Sequence, residues 1–527
     1  MSGDDLDLVL LVGSVVLLVA IAAVRLAVGS GLPTLLLYLG LGLLLGEDAL
    51  GFDFDDAELA RALGYAALVL ILAEGGLTTR WRSIRPVVPA AAALATVGTA
   101  VSVGVVAVAA RGLLDVGWRE ALLVGAVLSP TDSAAVFSVL RRVPLPPRIA
   151  GLLEAESGFN DAPVVIVVVA LASVSSAPSW WELLALIGYE LALGAVVGLA
   201  VGFAGAWGVR RIALPSSGLY PLAVLALCVT AYGAAAVLHA SGFLAVYLAA
   251  LVLGNVRLPH RPATRGFVEG VAWLAQIGLF VMLGLLATPS DLGPSIVPAL
   301  GIGLVLLVLA RPLSVLVSLA PFGLRRSGSA SGDDQEAEDN DGGRGWRFPT
   351  TWRERGLLSW AGLRGAVPVV LATVPADQDV FNLVFVLVVV FTVVQAPTLP
   401  ALARRLGVVA EGSAQPLDIE SSPLTRLDAD LLQVHVQPGS RLAGVEVFEL
   451  SLPEGAAVTL VVRGGRAFVP RASTPLQVGD DLILVATEAV RATVERRLRA
   501  VSTGGRLADW HHPRRRRRSR RPQKNPP

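Results

Sequence analysis

The sequence predicts an all-α polytopic membrane protein of about thirteen transmembrane helices, followed by a small α+β cytoplasmic domain. Three observations carry that expectation. Of 527 residues, 54% are hydrophobic and only 16% are charged, with a mean hydropathy of +0.66, whereas an average soluble domain is about 25% charged. The apolar residues come in runs of about 20, the length that crosses a bilayer. The basic residues gather in alternate loops between those runs. A net charge of +1 says nothing about partners, and the single cysteine, Cys228, excludes a disulfide framework or a Cys-rich metal site.

The runs lie near 8–28, 32–46, 62–78, 86–110, 119–140, 149–172 and 180–209, then near 219–238, 240–256, 269–288, 294–320, 355–374 and 378–403. The first follows Asp4, Asp5 and Asp7 rather than basic residues and has no small-residue cleavage site, so it reads as a retained span and not a signal peptide. Arginine sets the orientation, because lysine occurs only at Lys524. One set of loops carries Arg80, Arg82 and Arg85, then Arg141, Arg142 and Arg148, then Arg210 and Arg211, then Arg257, Arg261 and Arg265, then Arg325 and Arg326. The alternate set holds only Arg61, Arg111 and Arg119 and is richer in acids, such as Glu47, Asp48, Asp53, Asp55 and Asp56. The positive-inside rule then puts the N-terminus outside the plasma (inner) membrane and the C-terminal extension in the cytoplasm.

Residues 1–410 form the transmembrane domain on this reading. The loop 322–354 is cytoplasmic and partly disordered, since its Ser-Gly repeats and Asp333-Asp334-Gln335-Glu336 have no apolar area to bury. From 416 to 501 the period changes. Leu431–Val436, Ala457–Val462 and Leu482–Val485 alternate like strands, with turns at Pro438-Gly439, Arg463-Gly464-Gly465 and Gly479-Asp480, and a helix near 488–500 closes the domain. The tail 502–527 carries the basic run Arg514 to Arg521, which suits anionic lipid or plain solvation better than nucleic acid.

Ionisable side chains at mid-membrane depth are costly, which makes them functional candidates. The fifth run contains Ser129-Pro130-Thr131-Asp132-Ser133, where Pro130 removes a backbone donor and should break the helix near its middle. Freed backbone is tolerated there only beside a polar cavity, so Asp132 would stand next to carbonyls able to hold a bare cation. The sixth run reads Glu154-Ala155-Glu156-Ser157-Gly158-Phe159-Asn160-Asp161-Ala162-Pro163 and then turns to valines and isoleucine. A spacing of four stacks Ser157 on Asp161 and Glu156 on Asn160. The plainer alternatives are a capping or ion-paired Asp161 and an Asp132 that only caps the second half-helix. The twelfth run carries Gly362-Leu363-Arg364-Gly365-Ala366-Val367-Pro368, a second interruption holding a buried cation. Arginine stays protonated and needs an anion, with Glu156 or Glu154 as the expected partner. The two interrupted runs are seven helices apart, an odd offset that fits an inverted repeat around a midplane site.

These segments, with Glu74-Gly75-Gly76-Leu77, resemble the NhaP-type (NhaP/CvrA) cation:proton antiporters. The resemblance covers about residues 8–407 and implies an NhaA-like antiporter fold with inverted repeats and two broken crossing helices, in a homodimer whose core domain moves against a dimerisation domain. It implies that Asp161 and Asp132 bind the ion, that Thr131 contributes through its backbone and Ser157 through its side chain, and that Glu156, Asn160 and Arg364 form a structural polar cluster. Ser133 departs from the family's frequent proline. The Asn160-Asp161 pair is of the kind associated with electroneutral exchange. The segments Val434–Gly444, Arg463–Pro470 and Leu476–Leu482 resemble the TrkA-C (RCK-C) domain of potassium-transport regulators, which implies potassium handling and control by a small effector, for which a nucleotide is a candidate. No Gly-x-Gly-x-x-Gly follows a strand, which argues against NAD.

A desolvated carboxylate can be neutralised by a proton or by a metal ion but poorly by both at once. Competition at Asp161 is therefore the expected exchange mechanism, with K+ or Na+ and H+ as its cargo and no cofactor. A gated channel would need a carbonyl filter such as Thr-Val-Gly-Tyr-Gly, which is absent. An intramembrane aspartyl protease would need Gly-x-Gly-Asp, where this chain has Gly158-Phe159-Asn160-Asp161.

Overall fold

The computed structural model describes residues 3–30, 34–52, 54, 56–140, 143, 145–172, 179–212, 214–323, 349–409, 419–424, 429–437 and 439–505. They divide into a helical unit up to Val409 and a second unit from Ala410 on. Residues 324–348 of the expected loop 322–354, together with Arg141, Arg142 and the Arg514–Arg521 run, fall outside the described residues, while the end of that loop is already the start of a helix at Trp352.

In the first unit the apolar runs become α1 (Gly3–Ser30), α2 (Thr34–Leu45), α3 (Ala57–Thr78), α4 (Val88–Leu114), α5 (Trp118–Val127), α6 (Ser133–Leu140) and α7 (Pro147–Ala172). They continue as α8 (Trp180–Arg211), α9 (Leu219–Val237), α10 (Gly242–Asn255), α11 (Arg261–Leu285), α12 (Gly293–Phe322), α13 (Trp352–Trp360), α14 (Ala366–Ala372) and α15 (Gln378–Arg405). Among the described residues, eight helices are long and apolar enough to cross a membrane: α3, α4, α7, α8, α9, α11, α12 and α15. Most of the surface of α8 is exposed, including Trp180, Phe203 and Trp207, as suits a helix that faces lipid or another chain.

Two sets of helices pack mainly within themselves. α10 lies against α8, α3 and α9, and α11 against α2 and α3, while α5 lies against α4 and α7, and α12 against α15. Between the sets, α7 touches α10 and α8, and α14 touches α3 and α11.

The fifth and twelfth runs are each split. Proline cannot donate to the carbonyl four residues back and its ring crowds that carbonyl. Pro130 accordingly ends α5, and the chain is non-helical from Ser129 to Asp132 before α6 begins. Pro368 acts likewise on the turn before it, so that 362–365 is non-helical between α13 and α14. α12 carries a π turn, Leu306–Ala310, immediately before Arg311-Pro312.

The second unit holds one antiparallel sheet in the order β1-β2-β5-β3-β4, with β1 (Ile419–Leu424), β2 (Ala429–His435), β3 (Ala456–Arg463), β4 (Arg466–Phe468) and β5 (Asp481–Thr487). Helix α16 (Glu488–Gly504) packs Val494, Leu498 and Val501 over a core of Leu432, Val434, Leu482, Leu484 and Ala486. The alternation that predicts β2, β3 and β5 is the alternation of that buried face. Behind it Arg463 grips the fully buried Asp480 carboxylate with two hydrogen bonds of 2.7 and 2.8 Å, and the Gln477 N–H adds a third of 2.8 Å. Burial alone would raise the Asp480 pKa, but these donors outweigh it and hold the carboxyl below its ordinary value.

Candidate functional site

The two breaks meet. The Asp132 N–H donates to the Leu363 carbonyl at 2.9 Å, tying one interruption to the other. Glycine is required on the second strand of this contact: a Cβ on Gly365 would overlap the Asp132 carboxylate, and one on Gly362 would lie 2.8 Å from Arg311 Nε. Asp132 Oδ1 accepts from the Ala135 N–H at 3.2 Å and so caps α6, as the plainer alternative anticipates. The same side chain also lines a cavity of about 300 Å³ together with Thr131, Ser157 and Asp161. Capping and a place in the cavity wall therefore coexist.

Asp161 is 7% exposed, and its Oδ1 has no hydrogen-bond partner among the described residues. It neither caps a helix nor belongs to a described ion pair. A buried carboxylate oxygen without a donor is rare because it forfeits its hydration. What it lacks, a proton or a cation arriving through the cavity would supply.

The polar cluster differs from the expected one. Arg364 pairs with neither Glu156 nor Glu154. Glu156, 2% exposed, is held by Arg311 of α12, whose Nη1 and Nη2 donate to its two oxygens at 2.5 and 3.0 Å. Asn160 Nδ2 donates to Thr131 Oγ1 at 2.9 Å, and that hydroxyl reaches on to Glu156 at 3.4 Å. Glu154 accepts from the Thr79 hydroxyl instead. Arg364 Nη1 donates to the carbonyls of Ser129 and Pro130 at 2.8 and 2.6 Å. The physical reason is that the non-helical segment after α5 leaves the Ser129 and Pro130 carbonyls without helical donors, and a buried guanidinium satisfies them.

Two consequences follow. The Ser129 and Pro130 carbonyls, expected to be available to a cation, are occupied by Arg364. The Thr131 hydroxyl is engaged by Asn160 and Glu156.

Sequence reasoning passed over Arg311, although the signal was there: one arginine inside the long apolar run Val305 to Leu319. It also passed over Thr79, Tyr247 and Gln276, which line the cavity with Glu74 and Glu154. A second cavity of about 310 Å³ shares Ile71, Glu74, Phe137 and Gln276 with the first and reaches Thr34 and Glu269.

Comparison with known proteins identifies the family. The family model described as sodium/hydrogen exchanger, transmembrane, matches residues 14–405, and the TrkA-C domain model matches residues 431–499. The chain is 34% identical over 502 residues to a K(+)/H(+) antiporter NhaP2 of Shewanella sp. (strain ANA-3), covering 93% of this chain and 83% of the relative. It is 33% identical over 501 residues to a K(+)/H(+) antiporter NhaP of Alkalimonas amylolytica, covering 92% and 82% respectively. Among solved structures it is similar to the sodium proton antiporter MjNhaP1 of Methanocaldococcus jannaschii, with a TM-score of 0.61 and 21% identity over 76% of this chain and 99% of that one, a likeness of fold. The chain belongs to the sodium/hydrogen exchanger family and carries a TrkA-C domain behind its membrane unit.

Proposed function

We propose that this protein is an antiporter that exchanges a cytoplasmic monovalent cation, K+ ahead of Na+, for protons across the plasma membrane, with Asp161 as the group that carries either one. The observation that supports it most is the donorless carboxylate oxygen of Asp161, buried on the wall of a cavity shared with Asp132, Ser157 and Thr131. Taken at their ordinary charges, Asp132 and Glu156 balance Arg311 and Arg364. The site is then neutral when Asp161 holds a proton and neutral again when the ionised carboxylate holds one monovalent cation. Among these five groups only the unloaded state carries a net charge, and an uncompensated charge crosses a low-dielectric barrier poorly. That asymmetry couples movement to loading and gives electroneutral one-for-one exchange.

The helices make thirteen crossings when each broken pair counts once, in an NhaA-like inverted repeat, with the N-terminus outside and residues 416–501 in the cytoplasm. In that orientation Thr78, Thr79, Glu74 and Glu154 are on the cytoplasmic side of Asp161, so the cavity opens inward. The helix set that contains α7 moves against the set that contains α10, in a homodimer embedded in lipid. The TrkA-C domain takes a small effector, for which a nucleotide is the candidate. The names of the two relatives and the presence of that domain support K+ as the substrate.

The test is collapse of a preset pH gradient in everted vesicles on addition of K+, Na+, Rb+ or Li+. Wild-type protein responds to K+ and Asp161→Asn does not. A response retained by Asp161→Asn defeats the carrier assignment, and a response to Na+ alone defeats the K+ preference.

A further inference from the structure

The wall of the cavity beside Asp161 includes Leu68 of α3 and Ala366 and Val367 of α14. One turn further along, the two helices meet at Gly64 and Val370, which fall four residues before Leu68 and four after Ala366 and so continue the same faces. A Cβ on Gly64 would come within 2.9 and 3.2 Å of the two Val370 methyl carbons and 3.6 Å of Val370 Cβ. Both residues are buried, Val370 to 1% exposure. Two methyl groups set against a glycine leave a hydrated cation no side-chain ligand in exchange for its water.

The two helices belong to different sets. α3 packs with α10 and α11, and Tyr65, beside Gly64, stands edge-on to Phe243 of α10 with ring centroids 5.6 Å apart. α14 is fastened to the site instead. The Asp132 N–H is bonded to the Leu363 carbonyl, and the Asp132 carboxylate lies against Gly365 at the start of α14. A displacement of the site relative to α3 and α10 therefore carries Val370 away from Gly64. Glycine allows the close seat, because a Cβ there would hold the helices apart. Valine fills it stiffly, having one strongly preferred χ1 rotamer in a helix.

The structure assigns Gly64 and Val370 as the outer gate of the exchanger: Val370 seated on Gly64 closes the Asp161 cavity toward the outside and parts from it each time the site faces outward. This rests on the proposed exchange at Asp161, and on the orientation in which the cavity opens to the cytoplasm. It names the residues that keep the site from opening to both sides at once, when cations would pass without any counter-movement of protons.

A disulfide tests it. The 3.6 Å between the two Cβ positions lies within the span of about 3.5–4.5 Å that a disulfide bridges. Cys228 is the only cysteine, so Cys228→Ala gives a clean background. In that background, oxidation of the Gly64→Cys/Val370→Cys pair should slow K+/H+ exchange in vesicles about tenfold or more, and dithiothreitol should restore it. The oxidised protein in detergent should still release protons on addition of K+, because its cytoplasmic mouth stays open. Exchange unaffected by a completed cross-link overturns the gate. Loss of proton release together with exchange also overturns it, since that is what a merely structural contact produces. Val370→Cys alone is the second variant. An impermeant maleimide outside right-side-out vesicles should label it during sustained exchange, and a thiol that stays unlabelled throughout overturns the gate. Wild-type protein measured in parallel separates the two readings: if it releases protons to K+ while the cross-linked pair exchanges freely, only the gate fails.

Discussion

Replacing Arg311 with alanine should damage the membrane unit more than any other single loss of a charge. Glu156 is 2% exposed and both of its oxygens are bound by Arg311, so the variant leaves an ionised carboxylate buried with only the long Thr131 contact. Removing one partner of a buried pair costs about 3–5 kcal/mol. Spread over a unit of this size, that lowers the apparent melting temperature by about 5 °C. Heating detergent-solubilised protein and measuring the monodisperse fraction reads the shift. A double-mutant cycle sharpens it, since Glu156→Gln removes the stranded charge and should restore most of the loss, with a coupling of about 2–3 kcal/mol. The same cycle between Glu156→Gln and Arg364→Gln should give a smaller coupling, because Arg364 is held by carbonyls. A stable Arg311→Ala variant, or a larger coupling to Arg364 than to Arg311, would refute the pairing.

Three further outcomes follow from the same geometry. Gly365→Ala forces a methyl group onto the Asp132 carboxylate and should weaken apparent cation affinity at least about tenfold while the protein still folds, read as the KM for K+ in vesicles. Arg364→Gln strips donors from the Ser129 and Pro130 carbonyls and should abolish exchange, while Arg364→Lys restores one donor and part of the rate. In the TrkA-C domain the folded pKa of Asp480 is depressed, so its stabilisation is present above the ordinary carboxylate pKa and is lost as pH falls through the folded value. Hydrogen exchange of β5 in the full chain should show wild type loosening toward Asp480→Asn as the pH is lowered, and Asp480→Asn costing about 2–3 kcal/mol at neutral pH.

Much of the fold was legible because membrane helices announce themselves by length and hydropathy, and because proline has a local effect that needs no knowledge of neighbours. Pro130 and Pro368 marked both breaks, and Asp161 stood out as an acid among valines. Depth in the bilayer can be read from a sequence, but azimuth and pairing cannot. Glu156 had two arginines available at similar depth, and choosing Arg311 over Arg364 required knowing that α12 brings Arg311, 155 residues away, onto α7. The use of the freed carbonyls by Arg364 was hidden for the same reason. In the soluble unit β2, β3 and β5 were found by their alternation, whereas β1, Ile-Glu-Ser-Ser-Pro-Leu, is an edge strand with a proline and no apolar period.

The central claim is that a proton and a cation compete for Asp161. Purified protein in weakly buffered detergent solution, titrated with K+ while a pH indicator is followed, tests it without any transport step. Binding should expel about one proton per chain at a pH where Asp161 starts protonated, and Asp161→Asn should expel none. Cation binding with no proton release, or release undiminished in Asp161→Asn, would contradict it.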